Sequence, residues 1–123
     1  MDICKKYHKV CNGIYFQHNF EKWTSGNSDI DKFIQDSQLS EHTTYYDNVK
    51  NALEWISYGR FCDIKYIAKG EFGKVYRANW IDGNISYWDK KNQNWKRNNQ
   101  GMIVDLKSLH NSKNITLEFI NEV

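Results

Sequence analysis

The sequence predicts an α+β fold, with N-terminal helices followed by a small antiparallel sheet that carries an inserted hairpin. Three observations predict it. Apolar residues recur at i, i+3 and i+4 in two segments before residue 57. After Tyr58-Gly59 the pattern changes to short β-branched and aromatic runs separated by Gly and Asn turns. The chain has 123 residues, 40% apolar and 15% aromatic, so a small core must be built from large side chains.

Each element follows in order. Residues 4–23, "CKKYHKVCNGIYFQHNFEKW", read as an arm that offers Tyr15, Phe16, Phe20 and Trp23 to a core. Residues 25–39 read as a helix capped by Asn27 or Ser28. Asp29 and Asp31 fill its first turn, where acidic groups suit the helix dipole. Ile30, Phe33 and Ile34 form its apolar stripe. Residues 45–56 predict a second helix through Tyr46, Val49, Leu53 and Ile56, and neither stripe can be buried alone. Strands are expected over 60–70 and 74–83, joined by Gly70-Glu71-Phe72-Gly73. A polar-tipped hairpin pairs 85–89 with 94–97, and a further strand spans 101–109. Residues 111–123 predict a helix capped by Asn114, with Ile115, Phe119 and Val123 on one stripe. The expected division is 1–58, an N-terminal arm and helical region, and 59–123, the sheet region.

Net charge is +2, and the basic residues are dispersed. The densest cationic stretch is "KKNQNWKR" (90–97). A Trp among cations is the type that stacks on a base, but an exposed hairpin tip with solubilising charges is the simpler reading, so no nucleic-acid partner is expected. No run reaches membrane-spanning length and residues 1–10 lack an apolar signal core, so a soluble, cytoplasmic protein is expected. Three Cys, an odd number, fit a reducing compartment. Cys4, His8 and Cys11 are zinc-type ligands, with His8 and Cys11 as a close pair. No second Cys pair follows, and the expectation is that no metal is bound.

A glycine pair between two strands lets the backbone approach an anion, although many hairpin turns look alike. The flanking residues sharpen this. Ile67-Ala68-Lys69-Gly70-Glu71-Phe72-Gly73-Lys74-Val75 resembles the glycine-rich loop of protein kinases, G-x-G-x-F-G-x-V, with Ala68 at the first glycine. Val104-Asp105-Leu106-Lys107 resembles the kinase V-A-I-K strand, and "LEFINEV" (117–123) resembles the start of the kinase C-helix. The similarity extends through "CNGIYFQHNFEKWTSGNSDIDKFIQDSQL", "ALEWI" and "IAKGEFGKVYRANWIDGNISYWD" to an expanded kinase-like family of mycorrhizal fungi, of the tyrosine-kinase-like group. His8 stands where that family tends to have a Cys.

The resemblance implies a kinase N-lobe-like sheet. ATP would lie against Ile67, Ala68, Lys69, Gly70, Glu71, Phe72, Gly73 and Val75, with Lys107 on the α- and β-phosphates. Glu122 would pair with Lys107, and Glu118 lies one helical turn earlier. It also implies that "NISYWDKKNQNWKRNNQ" is an insertion and that the chain ends inside the C-helix, before the C-lobe.

No H-R-D or D-F-G motif occurs in the 123 residues, so this chain is expected to be inactive alone, with Mg²⁺ relevant only to a full-length kinase. Two substitutions weaken ATP binding. Ala68 restricts the loop. Asp105 lies on the face of Lys107, about 7 Å away at Cα, where a carboxylate desolvated by adenine is costly and one paired with Lys107 draws that Lys from phosphate; the alternative is an open pocket that leaves Asp105 in water at little cost. The alternative is a non-enzymatic, pseudokinase-like module that binds a protein partner. The third strand of the sheet is expected to expose an edge.

Overall fold

The computed structural model describes residues 3–5, 10–44, 47–71, 73–109 and 117–120, with Leu109 and 117–120 described by their backbone alone. The chain forms two units, Met1–Trp55 with Ile85–Asn98, and Ile56–Asn84 with Asn99–Val123.

The first unit contains helices α1 (Asn12–His18) and α2 (Ser28–Leu39) and most of a hairpin, β3 (Asn84–Asp89) and β4 (Asn94–Asn98). Among the described residues, no side chain caps α1. Its first N–H groups find carbonyls elsewhere, Asn12 N donating to Thr43 O and Gly13 N to Glu41 O, both at 2.8 Å. Helix α2 starts as its sequence predicts: Asn27 Oδ1 accepts from Asp29 N and Ile30 N. Of its expected stripe, Ile34 is buried and Phe33 is exposed. Gly13 sits where the helices meet, and a Cβ there would lie 2.9 Å from Glu41 O and 3.1 Å from Gln38 O.

Aromatic rings fill the space between α1 and the hairpin. Tyr15 stacks on Trp88 at 5.1 Å, Phe16 packs on Trp95 at 4.3 Å, and Trp88 meets Trp95 edge to face. Of the cationic stretch, Lys90, Lys91 and Lys96 are in solvent, as expected, while Trp95 is packed inward and Arg97 is part-buried. The Asp89 carboxylate closes the turn by accepting from Lys91 N, Asn92 N and Asn92 Nδ2. The hairpin, expected as an insertion in the sheet region, thus belongs to the helical unit over Ile85–Asn98.

The helix expected over 45–56 does not form in its described part, 47–56, which runs as an irregular strap. Its backbone groups are taken by partners outside the segment. Lys50 N and Asn51 N donate to the two oxygens of the buried Glu41 carboxylate, Leu53 N donates to Ser37 Oγ, and Val49 N donates to Ser86 O. Gln38 Nε2 donates to Leu53 O. A helix would need those groups for its own ladder. Arg97 grips Glu54 at the end of the strap through two hydrogen bonds, Nη1 to Oε2 at 3.1 Å and Nη2 to Oε1.

The second unit is a four-stranded antiparallel sheet. Its strands are β1 (Phe61–Lys69), β2 (Gly73–Trp80), β5 (Met102–Leu109) and β6 (Leu117–Ile120), in the order β1-β2-β5-β6. One face carries the core: Phe61, Ala78, Trp80, Val104 and Leu106 are buried, and Ile56, Ile64, Tyr76 and Met102 pack on them. Arg60 ties the start of β1 to the turn after β2, with Nε and Nη2 donating to the Asp82 carboxylate at 2.9 and 2.6 Å.

The α+β class stands, and its C-terminal end is corrected. Residues 117–120, expected as helix, are extended and pair with Asp105–Ser108. They cover the edge of β5 that was expected to be exposed, and edge pairing satisfies backbone groups that a short helix would leave to solvent. Residues 111–116 and 121–123 of that expected helix lie outside the described residues.

Candidate functional site

Register places the sequence-predicted loop and lysine together. In an antiparallel ladder, directly opposed residues share a face. Val75 opposes Lys107, Arg77 opposes Asp105, and Asn79 opposes Ile103. On the other side of β2, Ala68 opposes Val75, and Lys65 opposes Arg77. Ala68, Val75, Asp105 and Lys107 therefore line one face, the one opposite the core. It is open: Ala68, Arg77 and Ile103 are exposed, and Val75, Asp105 and Lys107 are half-buried.

The loop closes this face at one end. Gly70 N donates to Gly73 O at 2.6 Å. A Cβ on Gly70 would lie 3.3 Å from Gly73 O and 3.7 Å from Val75 Cγ2, so the tight closure favours glycine. Gly73 has φ 154°, a conformation that L side chains rarely adopt. Ile67 falls at the irregularity between Tyr66 and Ala68, Lys69 opposes Lys74, and Glu71 is exposed. Phe72 lies outside the described residues.

Asp105 has a different partner from the one the sequence suggests. Its Oδ1 lies 3.7 Å from Arg77 Nε, across the strand pair. With Arg77 57% and Asp105 27% exposed, this pair is worth less than about 1 kcal/mol. It nevertheless gives the carboxylate a cation other than Lys107. Arg77 was missed because its strand reads as generic β sequence; its signal is the β2–β5 register, which no local pattern sets. Glu122 lies outside the described residues. Glu118 is not on a helix; its Cα is the register partner of Lys107 on β6.

The sequence-predicted metal candidates belong to the first unit. Cys4 and Cys11 are buried at 5% and 3% exposure, and His8 lies outside the described residues. A residue that sequence reasoning missed joins the two thiols: His42 Nδ1 is 3.3 Å from Cys4 Sγ. The ligand atoms of Cys4, Cys11 and His42 all lie within 4.8 Å of one another. Burial pushes the Cys11 thiol pKa up, and neighbouring Cys4 adds to that. No short-range spacing signals His42, which lies far along the chain from both cysteines.

A pocket of about 220 Å³ lies in the same unit among Phe16, Trp23, Trp55 and Trp95. It is smaller than a usual ligand site of roughly 300–1,000 Å³ and reads as a packing gap between rings. Among the described residues, no helix is long and apolar enough to cross a membrane. No protein-family model, curated protein or solved structure matches the chain.

Proposed function

We propose that the second unit is the nucleotide-binding part of a protein-kinase N-lobe, as the resemblance implies. On this reading these residues bind ATP weakly and do not by themselves transfer its phosphoryl group. One observation carries it: Ala68, Val75 and Lys107 share the open face of an antiparallel β1–turn–β2–β5 sheet whose glycine turn ends that face. This arrangement suits a nucleotide laid across the strands, with its phosphates toward the turn and Lys107. These residues supply binding and charge neutralisation. Phosphoryl transfer needs a metal-holding Asp and a base to orient the hydroxyl, which the motifs of this chain do not provide.

A second reading rests on Arg77–Asp105. An ion pair on the face that would hold adenine favours a pseudokinase-like module whose open face meets a protein. Nucleotide titration followed by thermal shift separates the two. On the first reading, ATP raises the melting temperature saturably, Lys107→Ala weakens the apparent affinity about tenfold, and Asp105→Ala strengthens it. No response in the wild type or in Asp105→Ala refutes nucleotide binding and leaves the interaction module.

A further inference from the structure

Apart from the sheet face, the first unit gathers two thiols and an imidazole that neither functional reading uses. We propose that Cys4, Cys11 and His42 form a zinc site, supplying three of the four ligands of a tetrahedral ion. The fourth position is met by water or a further side chain.

The geometry is close to what an ion needs. With Zn–S of about 2.3 Å and Zn–N of about 2.0 Å, the edges of the tetrahedron measure about 3.5–3.8 Å. The three ligand atoms already lie within 4.8 Å of one another, and Cys4 Sγ and His42 Nδ1 are 3.3 Å apart. Small side-chain rotations close the remainder. Two soft sulfurs and an imidazole select zinc over magnesium or calcium, which take oxygen ligands.

The scaffold holds the ligands from both flanks. Asn12 and Gly13, the residues after Cys11, donate their N–H groups to Thr43 and Glu41, the residues on either side of His42. Asn12 Nδ2 donates to Thr43 Oγ1, which in turn donates to Glu41 Oε1. The Glu41 carboxylate also takes Lys50 N and Asn51 N. Cys11 and His42 are thus fixed by their neighbours, which is how outer-shell contacts prepare a metal site.

Other uses of the trio fit less well. A Cys–His nucleophile must reach its substrate, whereas both thiols are almost fully buried. A Cys4–His42 hydrogen bond alone leaves the convergence of Cys11 without a role. A Cys4–Cys11 disulfide would leave His42 without one.

The test uses the whole chain, purified without chelator, and is independent of nucleotide binding. Metal analysis should find about one zinc per chain. Cobalt replacement should give a thiolate-to-metal charge-transfer band. Cys4→Ser, Cys11→Ser and His42→Ala should each weaken zinc binding by about 10–100-fold or more, while Cys62→Ser, at an exposed thiol on β1, should not. A measurement on the wild-type chain avoids dependence on variants that fold poorly. Alkylation of Cys4 and Cys11 should be slow with zinc bound and rise when a chelator removes it, while Cys62 reacts at the same rate in both states. A folded chain with negligible zinc and no cobalt band overturns the proposal, as does full zinc affinity in His42→Ala or a Cys4–Cys11 disulfide in the freshly purified protein.

Discussion

The two units are ordered by different means. The sheet unit relies on backbone ladders and one apolar face, where Ala78, Val104 and Leu106 are almost wholly enclosed. The helical unit relies on particular side chains: Gly13 at a close approach, Glu41 holding a strap, Arg97 gripping Glu54, and rings stacked between α1 and the hairpin. A ladder tolerates many sequences because any non-proline residue supplies its bonds. A side-chain scaffold depends on identity at each position. It can therefore bring distant residues such as Cys4 and His42 together, and it fails by single substitutions.

The largest expected effect breaks the sheet through its one apolar face. Leu106 is 0% exposed, and Leu106→Ala should cost about 2–5 kcal/mol. Native-state hydrogen exchange should show β1, β2 and β5 opening while amides of α1 and α2 keep their protection. Equal loss in both units would mean that they unfold as one body and that the contrast is wrong.

Gly13→Ala is the matching break in the helical unit. The added methyl meets three backbone carbonyls, which cannot rotate away as a side chain would. The expected cost is about 1–3 kcal/mol. Near-ultraviolet circular dichroism, to which the packed rings of Tyr15, Trp88 and Trp95 contribute, should report it. Zinc affinity should fall as well, since the same contact holds His42 opposite Cys11. An unchanged aromatic signal and unchanged stability would remove Gly13 from the scaffold.

The smallest effect is a pH dependence confined to the start of α2. Hydrogen bonds from the Ser25 hydroxyl, then the Thr24 hydroxyl and the Ser25 N–H, hold the Asp31 carboxyl below its usual value of 3.8. A depressed folded pKa means the contribution is fully present above 3.8 and is lost as pH falls through the lower folded value. Amides of the first turn should therefore exchange faster below about pH 4, and Asp31→Asn should abolish that pH dependence. Retention of the dependence in Asp31→Asn would assign it to another group.

What was legible in the sequence follows the same division. The cap at Asn27 and the strands from 60 to 109 were legible because local pattern encodes them, whereas the association of loop with lysine was implied by the kinase resemblance alone. The helix expected over 45–56 was not, because Glu41, Ser37 and Ser86 take its N–H groups, and no periodicity encodes those partners. Strand β6 was missed because pairing with β5 outweighed a helix-like pattern. His42 was missed because ligand spacing pointed to His8, whereas burial and backbone contacts bring in a residue from beyond α2.

The place of the hairpin in the helical unit bears on how the chain is made. Residues 85–98 complete a unit that begins at the N-terminus, so the chain leaves the sheet after β2 and returns to it for β5. During synthesis Tyr15 and Phe16 emerge long before Trp88 and Trp95, the rings they pack against. The N-terminal unit must wait for the ribosome to pass residue 98, while the β1–β2 pair can form as soon as it is released. A chain cut after Trp55 would carry Cys4, Cys11 and His42 but half of its aromatic core, so the zinc site is best studied in chains that include the hairpin.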